Sequence, residues 1–493
     1  MTSLARRLTL RAALVLALAG LLLVRPARND YAHALRQAHD YAAQLQRTAA
    51  AATYREAARL RPPCPAPYLS LARLYLDWGR TDAALEAVAA AEARHADPVE
   101  IHRLRAVTHV ARARAATDRR PALWAAARAR AHELLQLRPR DPEALSLLAR
   151  AHLALRDWEA ATEAYTGLLA LDPAHREAQQ QLGILLLGPE AAALDLLRAS
   201  DTPLAHELLH ALAPWESVLS APTASPPGEI EEVDRALALA SARAGQVLLD
   251  HGEWALAARQ LELAVRRSPA YAEARAYLGY ALDHMDYPSD ARRHLSAAST
   301  AGPESPVVLT LLGAHYDRSG DAAAARAQYE TAYDLAPDSP AICLRIGQTW
   351  AAEGRYVAAE IWLQEAVSLR PDDPELWAIL ARFYLDHGIA SDGRAVATAE
   401  RLLTLDPGTA RSHHLRGWAA LQTGDYPAAE HHLQRAIRLD PHLARAHYHL
   451  GQLWTRTGHP DRARDAFTSA LDLDTTGELL ALVPPAPVPD PQP

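Results

Sequence analysis

Along most of the chain the apolar positions fall into helix-length runs closed by Gly or Pro, and no stretch alternates Val, Ile and Thr with polar residues as a strand would. The apolar residues are mainly Ala and Leu, which cost least to place in a helix. The pattern predicts an all-α chain. It also repeats: PVVLTLLGAHYDRSGDAAAARAQYETAYDLAPDS (306–339) aligns without gaps on the segments 340–373, 410–443 and 444–477, a period of 34 residues.

Each place in the period has a physical task. A small residue at the eighth place (Gly313, Gly347, Gly417, Gly451) and Ala at the twentieth (Ala325, Ala359, Ala429, Ala463) let two helices approach closely. Large residues at the eleventh and twenty-fourth places fill the space beside them, as Tyr316 with Tyr329, Trp350 with Leu363, and Trp454 with Phe467. Gly at the fifteenth place (Gly320, Gly354, Gly424, Gly458) can take the left-handed conformation that ends a helix. Pro near the thirty-second (Pro337, Pro371, Pro441) stops the second helix, having no amide hydrogen to donate.

This set of residue types at fixed offsets resembles the tetratricopeptide repeat. The resemblance implies an α-solenoid: two antiparallel helices per unit, stacked as a right-handed superhelix whose core lies between neighbouring units. It covers most of the chain, in two expected arrays. The regular one spans 238–477 as seven units; a less regular one spans 31–187, clearest at 65–98 and 142–175. Residues 188–237 lose the pattern and contain APTASPPGEI, which reads as a hinge or linker, and 478–493 read as a Pro-rich, disordered tail.

A formal charge of -8, with every basic residue an Arg, gives no concentrated basic face and disfavours a nucleic-acid partner. The Arg bias reads as a GC-rich bacterial genome. Cys64 and Cys343 are too far apart in sequence for a zinc or redox pair, and Cys343 sits at a core place of its unit. Residues 1–30 place Arg6, Arg7 and Arg11 before an apolar run from Ala12 to Val24. That order predicts an N-terminal signal-anchor segment, with the repeats tethered to a membrane on the extracytoplasmic side. A soluble cytoplasmic regulator with the same repeats is the alternative.

Candidate chemistry is sparse. His206, Glu207 and His210 match H-E-x-x-H, which on a helix can hold zinc with Glu as general base, so a zinc metallopeptidase is an alternative reading. The segment has no room for the surrounding protease domain, and no catalytic residue, metal site or cofactor is expected. His413–His414, His431–His432 and His447 with His449 are neighbours that point to different helix faces. There is no phosphate loop, since the chain has no Lys.

The expected function is therefore non-catalytic binding of a protein or peptide in the concave groove, with no small-molecule substrate. By resemblance to the family, the groove takes its side chains from the second, fifth, ninth, twelfth and thirteenth places of each unit. Those places hold Tyr280, Arg318, Gln348, Arg382, Arg411, His414, Trp418, Arg445, Tyr448, Gln452 and Arg456, with Tyr277 beside the row. Aromatic rings among arginines are the residue types that dominate binding hot spots.

Overall fold

The computed structural model describes residues 30–116, 120–188, 191–219, 230–389 and 393–483. Among these residues every regular element is a helix. The helices pack in consecutive pairs, such as Pro306–Arg318 on Ala322–Leu335 and Ala444–Arg456 on Pro460–Leu473.

The close approach within a pair comes from the eighth and twentieth places. Ala325, Ala359 and Ala429 are fully buried. A Cβ added to Gly417 would stand 2.8 Å from Cγ of Leu433, and one on Gly347 would stand 2.9 Å from Cγ of Leu363. The first helices start on short polar caps: the Ser305 and Thr409 side chains accept from the amides of Val308 and Ser412. The turn at the fifteenth place is left-handed even where Gly is replaced, with φ of 61° at Arg156 and 66° at Asp286. Packing of the flanking helices therefore sets this turn, and Gly only lowers its cost.

The chain forms two compact units, one from Met1–Thr108 together with Tyr384–Pro493, the other from His109–Phe383. In the first unit residues 47–79 meet residues 471–475. The indole Nε1 of Trp78 donates to the Leu471 carbonyl at 3.0 Å, and Asp472 accepts from the Thr48 amide at 2.7 Å. Arg47 donates to the Asp472 carbonyl at 2.6 Å. Gly79, with φ of +74°, lies where a Cβ would run into the Thr475 carbonyl.

The second unit contains residues 188–237, the expected hinge. Part of that stretch is helical instead, at Ala191–Ser200 and Pro203–Leu212. Its leucines explain why: Leu194, Leu197, Leu204 and Leu208 recur at helical spacing and join one core with Leu182 and Leu248. Residues 220–229, which hold most of the Pro-rich part, lie outside the described residues.

The expectation of a membrane-anchored chain needs correction. Among the described residues no helix is long and apolar enough to cross a membrane. Even the long helix Ile230–Asp250 carries Glu231, Glu232, Asp234, Arg235 and Arg243, charges that a hydrocarbon layer would not accept. The apolar run 12–24 lies outside the described residues.

Candidate functional site

Helices Ala410–Thr423 and Ala444–Arg456 are the first helices of successive repeats, so equal places of the period lie beside one another on them. Trp418, Arg445, Tyr448, Gln452 and Arg456 line one cavity of about 310 Å³ in the first unit. The register of the repeat thus brought these five together without further help.

The floor of that cavity is a stack of rings. His449 lies 4.4 Å from Trp418 and 5.0 Å from His414, with interplanar angles of 22° and 18°. The two imidazoles also share a hydrogen bond, His414 Nε2 to His449 Nδ1 at 2.8 Å, so one ring donates and the other accepts. Burial, followed by the charge effects of His414, Arg445 and Arg456, holds the His449 imidazole well below its usual range. At neutral pH it is an uncharged plate beneath Trp418.

The rim is polar and partly committed. Arg456 donates to the Leu421 carbonyl at 2.8 Å, and Gln452 donates to the Tyr448 hydroxyl at 2.8 Å. Arg445 pairs with Glu478 at 2.7 Å, both side chains remaining in reach of water. Leu479 and Leu482 close one end.

The remaining expected residues fall elsewhere. His414 is buried under Trp418, and Arg411 is exposed but does not line the cavity. In the second unit Arg318, Gln348 and Arg382 are exposed, while Tyr277 and Tyr280 are half-buried against the core. Tyr280 packs edge-on to Trp254 and His284, at 6.0 and 4.6 Å.

Two contributors were missed. His449 sits one place beyond a groove position, so the spacing of the repeat does not assign it to the groove. The expected disordered tail begins too early: Glu478–Ala481 is a short 3-10 helix with Leu479 buried. The signal for it is local, since Asp474 accepts from the amides of Thr476 and Gly477, a turn that Asp-Thr-Thr-Gly could have announced. Residues 484–493 of that tail lie outside the described residues.

The zinc motif does not assemble a site. His206, Glu207 and His210 lie on the exposed face of Pro203–Leu212, with Leu204, Ala205, Leu208 and Leu212 turned into the core. His206 pairs with Asp201 at 3.1 Å and Glu207 with His251 at 3.2 Å. Among the described residues no three His, Cys, Asp or Glu side chains are grouped to hold a metal. The histidine neighbours do pair, but across helices: His413 Nδ1 meets His432 Nδ1 at 3.1 Å.

No curated protein matches the chain. Among solved structures, yeast Tom70 is 15% identical with a TM-score of 0.41, the alignment covering 92% of this chain and 94% of Tom70. Cut9 with Hcn1 of the APC/C is 18% identical with a TM-score of 0.36, covering 92% and 96%. YrrB, described as a TPR protein with an unusual peptide-binding site, is 17% identical with a TM-score of 0.31, covering 38% of this chain and 95% of YrrB. A tetratricopeptide-repeat family model matches residues 122–176, 242–306, 286–340, 393–441 and 414–478, and a second such model matches 318–383. These spans take in more than half of the chain and coincide with the stacked helix pairs, and so the chain belongs to the tetratricopeptide repeat family.

Proposed function

We propose that this chain is a non-catalytic scaffold that binds a segment of a partner protein across the first helices of its last two repeats. The observation that carries the reading is the convergence of Trp418, Arg445, Tyr448, Gln452 and Arg456 on one cavity. The Trp418 ring is fixed by its stack on His449, so little side-chain entropy is lost on binding. Arg456 donates to a carbonyl and so keeps its positive charge at the rim, which favours a segment carrying a carboxylate beside an apolar side chain.

The test places a photo-crosslinking amino acid at position 418 in the full chain and identifies what is captured. One polypeptide should dominate, captured through a single segment, and Tyr448→Ala with Arg456→Ala should reduce its affinity by about tenfold or more. Capture that is diffuse, or indifferent to both substitutions, would sink the reading.

A further inference from the structure

A second cavity, also of about 310 Å³, lies within the unit His109–Phe383, and none of Tyr277, Tyr280, Arg318, Gln348 or Arg382 lines it. Its charged groups are unevenly satisfied. Arg150 and Glu177 form a two-pronged pair, with Nε donating to Oε1 at 2.8 Å and Nη2 to Oε2, so they neutralise each other. Glu253, half-buried, and Arg114, exposed, also line the cavity, and neither side chain has a hydrogen-bond or ion-pair partner among the described residues. Burial pushes the Glu253 carboxyl above its ordinary range, with Arg114 pulling the other way. A carboxylate half-removed from water with no donor is costly to keep.

The same lining holds a more deeply buried group. Tyr165 lines the cavity, is 1% exposed, and its hydroxyl has no hydrogen-bond partner. Glu177, Arg150, Glu253 and Arg114 are the charges that act on it. A buried hydroxyl without a partner is rare in a native fold, and an occupant of the cavity would satisfy it. The apolar wall is Trp254, stacked on His284 at 3.9 Å and 9°. Burial, then Arg318, Arg120 and Arg345, lower the His284 imidazole to about 4, so at neutral pH that wall is uncharged.

The occupant must meet an unpaired carboxylate, an unpaired guanidinium and an orphaned hydroxyl in one small space. A purely anionic ligand would leave Glu253 unsatisfied and add repulsion. A purely cationic one would face Arg114, Arg120 and Arg150 against only Glu177 and Glu253. We infer that this cavity binds a small zwitterion, an α-amino acid or short peptide with both ends free, its ammonium on Glu253, its carboxylate on Arg114, and the Tyr165 hydroxyl bonded between them. The cavity volume is that of roughly ten waters, matching a single amino acid or a dipeptide.

Calorimetric titration of the full chain at neutral pH tests this with four probes: leucine, alanyl-leucine, N-acetyl-alanyl-leucine and alanyl-leucine amide. Saturable binding is expected for leucine or alanyl-leucine, and the tighter of the two identifies a free amino acid or a peptide as the source. Both blocked probes should bind alanyl-leucine's site at least about tenfold more weakly than the free dipeptide. Glu253→Gln should erase the preference for a free ammonium, and Arg114→Gln the preference for a free carboxylate. Tyr165→Phe keeps the ring packing and should still weaken binding severalfold. Absence of binding by leucine and alanyl-leucine at millimolar concentration, or equal binding of free and blocked dipeptides, overturns the inference.

Discussion

Gly313 faces the ring of Tyr329 so closely that an added Cβ would stand 2.5 Å from Cε1. The ring cannot swing away, because its hydroxyl donates to Asp317 at 2.7 Å and the side chain is fully buried. The same relation recurs at Gly451, where a Cβ would stand 2.6 Å from Cδ1 of Phe467.

Gly313→Ala should therefore destabilise the protein. The added methyl favours the helix by about 1 kcal/mol, yet overpacking costs about 1–3 kcal/mol. Urea unfolding of the single and double variants checks it: in a Tyr329→Ala background the Gly313→Ala penalty should shrink. An unchanged penalty would mean the ring is not what excludes the side chain.

The contacts of Thr48 with Asp472 and of Trp78 with Leu471 give a second prediction. Trp78→Phe keeps the stack on Tyr75 (6.4 Å between centroids) but removes the donor to Leu471. The loss should be about 0.5–1.5 kcal/mol. Asp472→Ala strands the Thr48 amide and should cost more, about 1–3 kcal/mol. In both variants hydrogen exchange at Thr48 should accelerate ahead of exchange at Leu248, deep in the other unit.

Stability should fall with acid through the histidines. Burial first, then Arg416 and His413, lower the His432 imidazole to about 4. The folded ring refuses a proton that the unfolded chain accepts near pH 6.5, so this contribution is present above about 6.5 and declines as pH drops toward about 4. His284 acts in the same direction. Unfolding midpoints measured across that window should slope upward with pH, less steeply in His432→Gln. Identical slopes would dismiss His432 as a source.

For the H-E-x-x-H segment, Glu207→Gln should leave the fold intact, since Glu207 is exposed and held only by His251. A chelator should not move the thermal midpoint of the wild-type chain. Stoichiometric zinc in the purified protein, lost on His210→Ala, would reverse that assignment.

Much of this was legible from spacing alone. Gly313, Gly347, Gly417 and Gly451 mark helix contacts because an added Cβ at each would collide with the side chain facing it, and that constraint repeats with the period. Trp418, Tyr448 and Arg456 were legible as a group because the ninth, fifth and thirteenth places fall on one face of the first helices, and a fixed register sets those faces side by side. His414 shows the limit of that logic. It occupies a groove place, yet it is 6% exposed, because Trp418 and His449 lie against it. The leucines of 191–212 show another limit, since a segment can keep a helical apolar face after losing the repeat consensus.

The order of residue types along the chain determined the helix pairs, their turns and the face that each presents, since those depend on neighbours a few places away. Tertiary structure alone decided that Trp78 and Leu471 meet and that Tyr165, Glu253 and Arg114 share a cavity. Those encounters join residues tens to hundreds of positions apart. They depend on the accumulated geometry of many stacked helices, which no local pattern encodes.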